Sequence, residues 1–130
     1  MTSATAPYQQ TRVMTSSRVQ LIVLLYDGAI QAMQLAQDSI RRNNQLDKAR
    51  FLRRAVNIIS ELSAVLDMER GGAIAGSLRR LYEYMLAELL QANLRHRADH
   101  LDGPVRCLTT MRGAWQTLVE RGETVHADSR

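Results

Sequence analysis

From Ile22 onward an apolar side chain returns at alternating steps of four and three: Ile22, Tyr26, Ala29, Met33, Ala36 and Ile40. That spacing puts all of them on one side of an α-helix, where a strand would need a period of two. A second row, Leu21, Leu25, Gly28, Ala32 and Leu35, runs beside the first. Two adjacent rows make a wide apolar face, as a helix inside a bundle needs. Ser17 with Gln20 three residues on is a capping-box pattern for its start, and the basic pair Arg41-Arg42 suits the negative end of the helix dipole.

The pattern repeats down the chain. Asn44 or Asp47 opens a second helix, with rows Ala49, Leu52, Val56, Ile59, Leu66 and Phe51, Ala55, Ile58, Leu62, Val65. Gly71-Gly72 is expected to end it, because glycine takes positive φ without steric cost. A third helix is expected over residues 74–95, with Leu78, Leu81, Tyr82, Met85, Leu89 and Leu90 inward. Residues 93–100 are polar and turn-like. A fourth helix starts at Asp99 or Asp102, and Leu101, Val105, Leu108, Met111, Trp115 and Leu118 form its apolar side. Pro104 must sit in the first turn, since deeper it would remove a hydrogen bond and clash. No period-two segment occurs. The expectation is an all-α, antiparallel up-down four-helix bundle over residues 16–120, with a flexible N-terminal arm at 1–15 and a frayed tail at 121–130.

Composition narrows the function. At 130 residues with 45% hydrophobic and 23% charged side chains, the chain is sized and mixed for one globular domain. Cys107 is the single cysteine, which excludes an internal disulfide and a Cys-x-x-Cys metal site. Residues 1–10 lack a signal-peptide pattern, and the longest apolar run, residues 21–26, is far short of the ~20 needed for a membrane span. A cytoplasmic protein with no membrane insertion is expected. The net charge is +4, carried by arginines and one lysine, Lys48. The clusters Arg50, Arg53, Arg54 and Arg79, Arg80 have no interleaved aromatics for base stacking, so they read as a solvated face. A basic helical-bundle nucleic-acid-binding or regulatory protein is the alternative. The only Glu-x-x-His pair is Glu123 with His126, in the tail. His96 and His100 span a turn, Cys107 suits a small buried role, and Asp27 reads as solvated or capped. No catalytic residues, metal site or cofactor are therefore expected.

Three segments carry a family resemblance. The first is Tyr8-Gln9-Gln10-Thr11 leading to Val13-Met14-Thr15-Ser16-Ser17. The second is Leu24-Leu25-Tyr26-Asp27-Gly28-Ala29. The third is Leu66-Asp67-Met68-Glu69-Arg70-Gly71-Gly72, followed by Leu81-Tyr82-Glu83-Tyr84-Met85. With Arg112-Gly113-Ala114-Trp115 near the end, they resemble the flagellar secretion chaperone family, FliS, over residues 8 to 119. Two departures are Arg18, where the family usually has proline, and Gly103-Pro104, where it tends to have ordinary helix formers. The resemblance implies an antiparallel four-helix bundle. It implies as client the disordered C-terminal segment of flagellin, which folds into apolar surface grooves and is kept from polymerising. It further implies delivery to the flagellar export gate and binding to the anti-sigma factor of flagellar regulation.

Such a role requires apolar side chains beyond what the core consumes. Helices one and three carry the surplus, so Leu21, Ile22, Leu25, Tyr26, Tyr82, Tyr84 and Met85 are the candidate partner-binding residues. Tyr84 is expected to be exposed, because Tyr82 and Met85 compete for the inward direction. Tyr8, on the arm, is the candidate cover of an empty groove, displaced by the client.

Overall fold

The structure, a computed structural model, describes the backbone of residues 6–66 and 68–128, and the side-chain surroundings of residues 18–66 and 71–121. Four long helices follow one another: α1 (Ala6–Arg41), α2 (Gln45–Ala64), α3 (Met68–Arg95) and α4 (Asp102–Asp128), with a single 3-10 turn at Ala98–Leu101 before α4. No strand occurs among the described residues. The all-α four-helix bundle is as expected. Helix α1 is its hub, packing on α2 along one side and on α4 along the other, while α3 packs on α2 and touches α4 only lightly.

The α1 backbone begins at Ala6, upstream of Ser17, which becomes an interior residue. Pro7 is tolerated in a first turn, and no glycine or proline follows until Gly28. Tyr8 therefore falls within α1, but its side chain, like every side chain of the expected arm, lies outside the described ones. The α4 backbone likewise runs on to Asp128 through most of the expected tail.

The junctions follow from local chemistry. At the end of α1, Asn43 takes a left-handed conformation (φ 56°), and the Asn44 N–H donates back to the Ser39 carbonyl at 2.8 Å. This is a Schellman closure, with asparagine in the place glycine usually holds. Asn44 then serves as N-cap of α2, its side-chain oxygen accepting from the Asp47 N–H at 3.1 Å. The end of α3 repeats the device with His96 (φ 54°) and an Arg97 N–H bond to the Ala92 carbonyl.

The expected end of the second helix needs correction. Helix α2 stops at Ala64, capped through Val65, and Gly71-Gly72 lies inside the first turns of α3. Gly72 (φ 53°, ψ −126°) kinks that helix. The glycine pair does mark a backbone break, but one turn into the next helix.

The core is built from the rows read in the sequence. Tyr26, Ala29, Met33 and Ala36 of α1 are fully buried, with Ile59 and Leu62 of α2, Tyr82, Met85 and Leu89 of α3, and Leu108 of α4. Each large one contributes about 1.5–3 kcal/mol by leaving water. Two inward assignments are corrected: Leu90 and Leu118 are half exposed. Residues Arg18–Arg41 would reach across a membrane by length and composition. Their apolar face is instead the centre of the core. Buried Gln37 from the same helix donates to the Ala98 carbonyl (3.0 Å) and to Asp102 Oδ1 (2.8 Å), anchoring the start of α4.

Candidate partner-binding site

Tyr26 of α1 and Tyr82 of α3 meet across the diagonal of the bundle, their hydroxyls 2.6 Å apart. Their rings pack edge-on, and Trp115 of α4 packs edge-on against Tyr26 from the other side. Burial pushes the Tyr26 phenol up, against the opposing pull of its hydrogen bond to Tyr82 and of the adjacent Trp115. Burial, reinforced by Tyr26, pushes Tyr82 well above the ordinary tyrosine range. These are neutral, mutually satisfied core hydroxyls. Tyr26, Tyr82 and Met85 are 0–1% exposed, which corrects the expectation that they contact a partner. Two rows converging on one helix axis cannot both reach the surface, and these residues occupy the row facing the bundle centre.

The remaining candidates separate. Leu21 is 56% exposed on the N-terminal half of α1. Leu25 is half-buried against the core. Ile22 lines a cavity of about 230 Å³ at one end of the bundle, with Leu62, Leu66, Ile74, Leu78 and Trp115. Tyr84 is exposed, as expected, but faces the start of α4, where a β-carbon on Gly103 would overlap its hydroxyl. Gly103, a departure from the family pattern, is therefore the contact that lets α3 and α4 approach.

A second and larger hollow, about 470 Å³, lies between α2 and α3. Leu52 and Leu89 form its floor, Val56, Leu86 and Leu90 its walls, and Arg53 its one charged lining residue. Beside lining residue Asn93, α2 is joined to α3 by Lys48. That side chain is 6% exposed, with Nζ bonded to the Asn93 carbonyl (3.1 Å) and to His96 Nδ1 (3.0 Å). Leu46, in the first turn of α2, and Leu94, in the last turn of α3, are also exposed. Over the span from Ala49 to Val56 the hollow runs about 10 Å, or two helical turns. None of the sequence-nominated residues lines it. The available signal is Leu86 and Leu90 at helical spacing, of which Leu90 reads as inward from the sequence.

Chemical machinery is sparse. No group of three or more metal-ligating side chains occurs among the described residues. The Cys107 thiol is pushed up by burial and points its hydrogen at Met111 Sδ, 3.5 Å away. His100 pairs with Glu88 at 3.1 Å. Asp27, read as solvated or capped, is held by Arg112 of α4, with Nε 2.7 Å from Oδ1 and Nη2 3.3 Å from Oδ2. That side-chain pair is 39–44% exposed, so it contributes at most about 1 kcal/mol. It does tie two signature segments, Tyr26-Asp27-Gly28 and Arg112-Gly113-Ala114-Trp115, into one interface.

The described residues thus form a helical bundle with open apolar hollows. The chain belongs to the FliS family: the family described as "Flagellar protein FliS" matches residues 1–122. The chain is 39% identical over 110 residues to the flagellar secretion chaperone FliS of Salmonella typhimurium, covering 84% of this chain and 82% of that protein. It is 34% identical over 115 residues to flagellar secretion chaperone FliSB of Pseudomonas aeruginosa (85% and 91%). It is 31% identical over 113 residues to the FliS chaperone of Bacillus subtilis (87% and 84%). All three are named chaperones rather than enzymes.

Proposed function

We propose that this chain is a cytoplasmic export chaperone that binds the disordered C-terminal segment of flagellin, holds it as amphipathic helix in apolar surface grooves, and so blocks premature polymerisation. The observation that supports this most directly is the uncovered apolar hollow between α2 and α3, floored by core residues Leu52 and Leu89 and walled by Val56, Leu86 and half-exposed Leu90. Handover to the flagellar export gate and binding to the flagellar anti-sigma factor belong to the same proposal. The covering of an empty groove by Tyr8 and its neighbours is a separate part of the proposal, motivated by Tyr8 being the only aromatic in the first 25 residues.

A disordered client that folds on binding loses conformational freedom and must recover it through apolar burial. Calorimetry of this chain with a peptide of the last ~40 residues of its organism's flagellin is expected to give a strongly negative heat-capacity change. Leu90→Glu, at a half-exposed position, is expected to leave helicity intact and weaken binding at least about tenfold, since it puts a charge against an apolar guest surface. Equal affinity of the two proteins would remove the α2–α3 hollow from the account. Absence of peptide binding by the unaltered chain would remove the flagellin assignment.

A further inference from the structure

Several arginines of the bundle have a partner in their own chain. Arg42 pairs with Asp38, Arg79 with Glu83 and Arg97 with Asp99, and Arg95 donates to Gln91. Arg53 does not. It is exposed, midway along α2 on the lip of the apolar hollow, and makes no ion pair or hydrogen bond among the described residues. Arg50 and Arg54 stand exposed on either side of it on the same helix. No acidic side chain lines the hollow. The result is an apolar trough whose only lining charge is positive, with no counter-charge bonded to it among the described residues.

A guanidinium at the rim of an apolar cleft is well placed to take a carboxylate in a fixed geometry, because its planar fork offers paired donors. Apolar contacts along a trough tolerate sliding by a helical turn. A single charged contact does not, since a shift of one turn moves the partner's carboxylate by about 5 Å.

We propose that Arg53 is a specificity-determining residue of the client site: it pairs with an Asp or Glu flanking the apolar stripe of a client helix seated between α2 and α3, and thereby fixes the register of that helix. The proposal rests on the groove reading given above. It commits the occupant to an amphipathic segment with a carboxylate beside its apolar anchors, in preference to a wholly apolar or basic one.

The test is a charge swap on the full-length protein with the flagellin C-terminal peptide. Arg53→Glu is expected to weaken binding about tenfold and to flatten its dependence on salt, because a rim charge acts mainly on encounter and register. Among peptides in which each acidic residue is changed singly to lysine, one is expected to bind the unaltered protein poorly and to bind the Arg53→Glu protein better than the native peptide does. Arg54→Glu, on the same helix but outside the lining, should not share that rescue. If Leu90→Glu abolishes binding while Arg53→Glu binds normally and no peptide substitution is rescued, the groove stands. Arg53 then only keeps an empty apolar trough soluble, and this proposal is overturned. If Leu90→Glu has no effect, the groove reading itself fails and the Arg53 assignment goes with it.

Discussion

The phenol of Tyr84 on α3 lies over the α-carbon of Gly103 in the first turn of α4, where any β-carbon would overlap the hydroxyl. Helices α3 and α4 share few other contacts, so this stacking fixes much of their spacing.

It follows that Gly103→Ala is caught between two effects. Alanine is favoured over glycine in a helix by about 1 kcal/mol, but here it must evict a side chain that is 43% exposed and able to swing outward. We expect little net change from Gly103→Ala alone, and a gain of about 1 kcal/mol when the same change is made in a Tyr84→Phe background. Urea unfolding of the four proteins measures the coupling. Identical effects of Gly103→Ala in both backgrounds would show that the hydroxyl is not the obstacle.

The Tyr26–Tyr82 pair should behave as a unit. Tyr26→Phe or Tyr82→Phe leaves one buried hydroxyl short of a partner and should cost about 1–3 kcal/mol. The double change should cost less than the sum, because nothing is then left unpaired. Additive losses in chemical denaturation would rule out the coupling.

The same pair predicts the alkaline limit of the fold. Both phenols are held above their ordinary value, so the unfolded chain gives up these protons first, at about pH 10. Their contribution to stability is whole below that pH and drains away as pH rises toward the folded values. Between about pH 9 and 11 the doubly substituted protein should lose stability more slowly than the parent. Parallel curves would mean that other groups set the limit.

Gly72 and Gly76 should respond in opposite directions, although both lie near the start of α3. Gly72 has φ +53° with open space where a β-carbon would go, so Gly72→Ala should cost about 1–3 kcal/mol through backbone strain alone. Gly76 is helical and its β-carbon would rest 3.8 Å from the Arg80 guanidinium. Gly76→Ala should therefore stabilise by about 0.5–1 kcal/mol. Thermal unfolding that moves both variants the same way would contradict the kink at Gly72.

The period of the apolar rows was enough to read the helices and most of the centre, as Tyr26, Ala29, Met33 and Ala36 show. It failed where the deciding contact is distant or the signal ambiguous. Gly71-Gly72 announces positive φ but not which helix owns it, and the true end of α2 at Val65 carries no breaker. Leu90 fits an inward row, yet α3 has more apolar positions than its neighbours cover, and the excess became the groove wall. The bond of Arg112 to Asp27 joins residues 85 apart, beyond the reach of any local pattern. Buried Lys48 was legible in principle, since it continues the row Leu52, Ala55, Ile59 and Leu62 at the same alternating steps. Its charge pointed to the surface instead.

That lysine has a practical consequence. It is the only lysine side chain in the sequence, and its amine is shut in by Asn93 and His96 at the joint of α2 and α3. Reagents that seek ε-amines will find none standing free on this molecule. Acylation of Lys48 becomes a clock for how often that joint comes apart, and a client bridging α2 and α3 should slow it.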